Sequence, residues 1–335
     1  MSNIASTLRG WALRREAALA VILIALVVSF AVLSPHFLTP QNMFSASRFY
    51  VETGLIALGM TLVIVTGGID LSVGSTLALV SVLIGFTYAA GVPMVLAIVI
   101  GLLAGALAGF FNGFITTSFE IHPLAVTLGT LALYGGLALA ISGGGAVSKF
   151  PEWFGIFGQT FIGPIPAQLF VFAILAVAVG LLLGKTTFGR RVYALGTSAR
   201  AAAFSGTPTK RIVILVYTLT GLLAAVASII YTSRVSTARA DAGVGMELAV
   251  IAAVVLGGAS IRGGRGTVLG TVLGVLIIGI LRNGLTLSGV PGTWSSLVLG
   301  VVLLSAVYIN ERSGSPTRAR RLRVGPGARR APQSA

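Results

Sequence analysis

Gly59-Met60-Thr61-Leu62-Val63-Ile64-Val65-Thr66-Gly67-Gly68-Ile69-Asp70-Leu71-Ser72-Val73-Gly74-Ser75 decides the reading of this chain. It holds a lone carboxylate, Asp70, between Gly67-Gly68 and Gly74 in a stretch otherwise apolar enough for a bilayer. An ionisable group at membrane depth costs several kcal/mol, so it is kept where a partner or a water-filled cavity receives it. Glycines free the backbone to leave helical geometry, which lipid tolerates only where protein or a cavity surrounds the break. Two arrangements satisfy both facts. One is a broken or re-entrant segment lining a pathway; the other is a tight polar turn between two spans, with Asp70 capping the second.

The 335 residues are 56% hydrophobic and 9% charged, with mean hydropathy +0.99. Soluble domains carry about 25% charged residues, so the class is a polytopic membrane protein. The absence of cysteine excludes disulfides, thiolate chemistry and cysteine-ligated metals, and His36 and His122 lie too far apart for metal-site spacing. The net charge of +15 does not point to nucleic acid, because it is clustered where the positive-inside rule places it. Arg14-Arg15 before Ala17–Leu33 resembles a signal peptide, but no small-residue cleavage site follows, so the run reads as a retained anchor.

At roughly 20 apolar residues per span, candidate helices fall near 17–34, 51–66, 71–90, 93–118, 122–142, 165–184, 212–232, 246–262, 267–287 and 292–309. The fold class is therefore all-α, with about ten transmembrane helices, several of them interrupted by glycine. An even count puts both termini on one side. With that side cytoplasmic, 18 basic residues face inward against five outside, Arg48, Lys149, Arg234, Arg239 and Arg282. Without the arginines of the tail the ratio is still 11 to 5. The expected organisation is a cytoplasmic N-terminus over 1–16, a membrane domain over 17–311 and a disordered basic cytoplasmic tail over 312–335.

Two loops stand out. Ser142–Pro164, external in this topology, carries Phe150, Trp153, Phe154 and Phe157, spaced as in an amphipathic interfacial helix. The cytoplasmic loop Lys185–Arg211 contains Thr197-Ser198-Ala199-Arg200-Ala201-Ala202-Ala203-Phe204-Ser205-Gly206, a short helix with a Thr197 or Ser198 N-cap and a Gly206 stop. So short a helix needs a surface to dock on. Gly101, Gly105, Gly109 and Gly113 form a small-residue stripe, repeated in shorter form by Gly266, Gly270 and Gly274. Such stripes bring helix backbones close together, within one subunit or across an interface. No Walker A motif is present: Gly184-Lys185-Thr186 is the nearest approach, and position 179 is valine where the motif needs glycine.

Five ordered runs carry a resemblance. They are Gly67-Gly68-Ile69-Asp70-Leu71-Ser72-Val73-Gly74-Ser75, Gly109-Phe110-Phe111-Asn112-Gly113, Val126-Thr127-Leu128-Gly129-Thr130, Phe188–Gly196 and Ile251–Gly258. Together they resemble the ribose-type permease family, the membrane subunits of bacterial ATP-binding-cassette sugar importers, over roughly residues 20–310. The resemblance implies a type II importer-like fold in the bacterial inner membrane, with no cofactor in this chain. ATP and magnesium would be bound by a cytoplasmic ATPase subunit. Further partners would be an external sugar-binding protein and a second permease, identical or paralogous; substrates in the family include pentoses, galactofuranose, rhamnose and autoinducer-2. It implies a translocation path at Asp70, Gly67, Gly68, Ser72, Asn112 and Thr127, and ATPase coupling through Arg200, Ala201, Phe204 and Gly206. The rival expectation is an ion- or proton-coupled secondary transporter using Asp70. Glu120-Ile121-His122-Pro123 departs from the family pattern of a basic residue, an apolar one, then proline; it reads as a pH-sensitive pair or as an ordinary loop.

Overall fold

The computed structural model describes residues 2–314. Twelve α-helices form within them: α1 (Ser2–Leu33), α2 (Pro40–Val65), α3 (Val73–Ala89), α4 (Met94–Ser118), α5 (Pro123–Ser142), α6 (Ala167–Lys185), α7 (Thr187–Thr197), α8 (Ala199–Phe204), α9 (Thr209–Val235), α10 (Met246–Leu256), α11 (Val268–Leu287) and α12 (Gly292–Gly314). Seven are long and apolar enough to cross a membrane, and the apolar stretches of α3, α10 and α12 are shorter. The expected all-α, polytopic architecture is thus what the chain adopts. Residues 315–335, most of the expected tail, lie outside the described residues.

α2 is the central helix. Its last 15 residues, from Val51 to Val65, are buried without a break, and it is flanked by α6, α9, α10 and α11. Thr39 caps its first turn, its side chain accepting from the Asn42 amide at 3.4 Å, and Pro40 suits the first helical position. The helix therefore begins 11 residues before the expected span at 51, in a polar stretch that hydropathy alone passes over.

The glycine stripe on α4 faces α9. A Cβ on Gly109 would strike the Tyr217 carbonyl, and one on Gly105 would come within 2.6 Å of the Gly221 carbonyl oxygen and of Ala225. Gly270 and Gly274 meet the α10 carbonyls of Gly257 and Ala253 in the same way. Both stripes are packing surfaces inside one chain. Hydroxyls add cross-helix bonds where no water competes: Thr61 to Thr271 at 2.6 Å, Ser81 to Thr232 at 2.7 Å, and Ser228 to the Leu77 carbonyl at 2.7 Å.

The loop between α5 and α6 is not the interfacial helix expected. It forms strand β1 (Ala146–Ser148), a 3-10 helix (Glu152–Phe157) and a hairpin of β2 (Phe161–Ile162) with β3 (Ile165–Pro166). β1 pairs antiparallel with β4 (Thr237–Arg239), which follows α9. Phe154 is fully buried, and its carbonyl accepts from the Ser233 hydroxyl at 2.6 Å. The aromatics cluster on one another and clamp the loop to α9, leaving Trp153 and Phe157 exposed. At the same end Glu52 is buried and bound by Arg234 at 2.7 Å, while Arg48 donates to the Gly158 carbonyl at 2.6 Å.

Candidate translocation site and coupling surface

α2 ends where glycine permits a left-handed residue. Gly67 has φ 88°; its amide bonds the Ile64 carbonyl at 2.9 Å, and the Gly68 amide bonds Val63 at 3.0 Å. α10 ends in the same motif: Gly258 has φ 105°, its amide bonds Val255 at 3.0 Å, and the Ala259 amide bonds Val254 at 3.1 Å. The two breaks touch. The Gly264 amide donates to the Val65 carbonyl at 2.8 Å, and a Cβ on Gly263 would lie 3.0 Å from Gly67.

Beyond the first break the chain turns into a buried polar cluster. Asp70, 2% exposed, accepts from both the Ser72 amide (2.9 Å) and the Ser72 hydroxyl (2.7 Å) through Oδ1. The Asn112 amide, on α4, donates to that hydroxyl oxygen at 2.8 Å. Tyr134 of α5 donates to the Asn112 side-chain carbonyl at 3.2 Å and to the Ala108 carbonyl at 2.9 Å. Thr127, also on α5, donates to the Ile69 carbonyl at 3.0 Å. A Cβ on Gly68 would lie 2.7 Å from the Tyr217 hydroxyl, which is itself buried without a hydrogen-bond partner among the described residues. Gly67, Gly68, Asp70, Ser72, Asn112 and Thr127, scattered over 61 positions of sequence, thus converge on one place. Asp70 closes an Asx turn onto Ser72. The residue preceding α3 is Ser72, so the carboxylate supports the turn without itself being the N-cap.

Three further groups belong to this neighbourhood. Tyr134 was legible in principle, since Thr127, Thr130 and Tyr134 follow helical spacing on one face of α5. Tyr217 carried no local signal; only the tertiary contact with Gly68 reveals it. Glu247, in the first turn of α10, places Oε2 2.7 Å from where a Cβ on Gly74 would stand. It is half-buried and makes no hydrogen bond or ion pair among the described residues. α3 runs on from Gly74 to Gly85, where it meets Ala238 of β4, ~16 Å away by helical rise. α10 runs ~16 Å the other way to the second break. Glu247 therefore sits about midway between the two ends of the bundle. Nearer the β1–β4 end, Arg239 and Asp241 form an exposed pair at 2.7 Å, and the hydrogen bond and charge of Asp241 raise the guanidinium above its ordinary value.

The loop after α6 holds two helices where the sequence suggested one. α7 is capped by Thr186, whose hydroxyl accepts from the Gly189 amide at 3.2 Å, and buries Gly189, Val192 and Leu195. Its far end touches both breaks: the Tyr193 hydroxyl donates to the Gly266 carbonyl at 2.7 Å, and a side chain at Gly196 would collide with the Val65 carbonyl. α8 has the expected boundaries. Ser198 accepts from the Ala201 amide at 3.2 Å, and Gly206, φ 78°, stops the helix. Ala202 is buried beneath it, Arg200 and Ala201 are exposed, and the Phe204 ring is 92% exposed. The pair at Glu120 and His122 does not form: His122 Nδ1 accepts from the Leu124 amide at 3.3 Å, capping α5, and both residues are exposed.

Comparison with known proteins agrees with this geometry. The family described as branched-chain amino acid transport system / permease component matches residues 42–307. Ribose import permease protein RbsC of Bacillus subtilis (strain 168) is 44% identical over 295 residues, covering 88% of this chain and 92% of the relative. Autoinducer 2 import system permease protein LsrD of Escherichia coli O157:H7 is 40% identical over 304 residues, covering 89% of this chain and 91% of the relative. LsrD of Shigella flexneri is 39% identical over the same length. No solved structure matches. These matches bear out the resemblance, and with it a multi-pass transport subunit of an ATP-binding-cassette importer that is not itself an enzyme. The chain belongs to the branched-chain amino acid transport system / permease component family.

Proposed function

We propose that this chain forms the translocation path of an importer for a monosaccharide or sugar-like solute. Relatives named for ribose and autoinducer 2 import support that substrate class. The path runs past Gly67, Gly68, Asp70, Ser72, Asn112 and Thr127, with Glu247 and Tyr217 beside it. Few polar groups there are unspent, which suits passage with weak binding.

The observation that carries the coupling reading is the exposed Phe204 on a helix mechanically joined to the glycine breaks. α8 leads through α7 to Gly196, Gly263 and Gly264, and those residues pack on Val65 and Gly67. An aromatic ring and a neighbouring Arg200 suit a groove on an ATPase subunit, since such anchors dominate interface energy. The ATPase binds ATP and magnesium; this chain contributes no nucleotide site. A sugar-binding protein docks at the end bearing β1, β4 and the aromatic loop. A second permease, identical or paralogous, completes the pathway. In this reading both termini are cytoplasmic in a bacterial inner membrane, with 1–16 and 312–335 as segments flanking the membrane domain, an orientation that the excess of basic residues on that side supports.

An ion-coupled secondary transporter is disfavoured by the import-system relatives and by the α8 surface, which such a transporter does not need. The test is uptake of labelled ribose into proteoliposomes holding this chain with its ATPase and binding protein. Uptake that requires ATP and is indifferent to proton or sodium gradients supports the proposal. Gradient-driven uptake without the ATPase would overturn it.

A further inference from the structure

A cavity of about 550 Å³ opens between α2, α11 and the start of α12. It lies well away from the polar cluster, toward the end of the bundle where α2 begins and α11 finishes. Its lining changes character with depth. Asn42, Ser45, Arg282 and Asn283 lie toward the mouth together with Leu287, whereas Phe49, Tyr50, Val275 and Ile278 line the part nearer the middle of the bundle, together with the hydroxyl-bearing Thr53.

Arg282 is, among the described residues, the only charged one in that lining. Among the described residues its guanidinium makes no hydrogen bond or ion pair. The closest acid along α2, Glu52, is outside the cavity and already bound by Arg234. Arg282 stands five residues before the end of α11, ~7.5 Å along the axis, which is the depth from which a long basic side chain reaches the headgroup layer. A guanidinium presents a planar fork of donors matched to phosphate oxygens. The Asn283 amide and Ser45 hydroxyl, which make no hydrogen bonds within the described residues, add neutral donors at the same level.

We propose that this cavity holds one membrane phospholipid, its phosphodiester on Arg282 and Asn283 and one acyl chain along Phe49, Val275 and Ile278. A polar, cationic mouth over an apolar floor is complementary to an amphiphile. A neutral sugar would leave the floor unmatched, and a free phosphate ion would leave it empty. The lipid joins α2, the helix that ends at the Gly67 break, to α11, the helix that follows the Gly258 break.

The test is native mass spectrometry of the intact chain, purified in a phosphorus-free maltoside detergent. It is titrated with dioleoyl phosphatidylglycerol or phosphatidylethanolamine, and separately with inorganic phosphate and with ribose. One phospholipid per chain should survive at collision energies that strip the rest, and Arg282→Gln should reduce that species at least tenfold while Arg282→Lys keeps part of it. Ser45→Trp, an exposed position at the mouth, should reduce it as well without touching the charge. Retention at the wild-type level by both Arg282→Gln and Ser45→Trp, or absence of a persistent lipid from the unaltered chain, would overturn the proposal. Competition by inorganic phosphate would reassign the site to a free anion, and competition by ribose to a solute vestibule; either result contradicts the lipid assignment.

Discussion

Asp70 makes both of its hydrogen bonds to Ser72, yet through Ser72 and Asn112 it fixes α4 against the start of α3. Replacing it with alanine leaves the Ser72 amide and hydroxyl without an acceptor in a buried place, a loss of ~1–3 kcal/mol per group. Asp70→Ala should abolish uptake while insertion and assembly with the ATPase persist; normal uptake by a well-expressed variant would remove Asp70 from the path. Glu52 is a different kind of buried acid. It neutralises Arg234, which is largely buried, so Glu52→Ala leaves that guanidinium without its counter-ion. Breaking a buried pair from one side costs ~3–5 kcal/mol. Thermal unfolding in detergent should show a large drop, and an unchanged midpoint would mean that water already solvates the site. At this scale the sequence revealed Asp70, because a carboxylate in apolar sequence is conspicuous. It did not reveal Tyr217 or Glu247, whose places beside Gly68 and Gly74 depend on which helix lies opposite.

Helix contacts follow from glycine wherever backbone meets backbone. On α4, Gly109 abuts the Tyr217 carbonyl, a rigid neighbour that cannot swing aside as a side chain would. Gly109→Leu should force α4 from α9 and cost ~1–3 kcal/mol or more. Gly129, whose Cβ would meet nothing within 4 Å, supplies the control: Gly129→Ala should leave the melting midpoint of the single chain nearly unchanged. If both variants behaved alike, the stripe would not be a packing surface. α8 and its caps were legible as a local pattern. α7 was not, because its amphipathic face is short and its buried partners come from α2 and from the loop before α11. The aromatic loop was misread for a related reason: Phe154 has the spacing of a membrane anchor, but Ser233 and Gln159 pin it to α9. Phe204→Asp should release the ATPase or uncouple its hydrolysis, measured by co-purification and by sugar-stimulated ATP turnover. Retention of both would end the coupling assignment.

At the level of the whole molecule, the glycine breaks, α7 and α8 form one contiguous contact path from an exposed aromatic to a buried carboxylate. The all-α class and the order of the apolar helices were readable because hydropathy over about 20 residues is a coarse signal that tertiary context rarely overrides. The meeting of the two breaks was not, since it depends on Gly264 reaching Val65 across 199 positions. Topology should not depend on the tail: truncation after Arg312 leaves 12 basic residues inside against 5 outside, and a protease-accessibility assay should find a single orientation. Mixed orientation would show that the tail arginines matter.

The absence of cysteine makes the proposed path directly testable, on the expectation that an ATPase-driven importer exposes it to one side at a time. Ser75→Cys and Glu247→Cys place single thiols beside the Asp70 turn and midway along the bundle. With the ATPase and binding protein present, a membrane-impermeant thiol reagent should label them from one side without nucleotide and from the opposite side in the vanadate-trapped state. Labelling that ignores nucleotide state, or thiols unreactive from both sides in every state, would contradict the account.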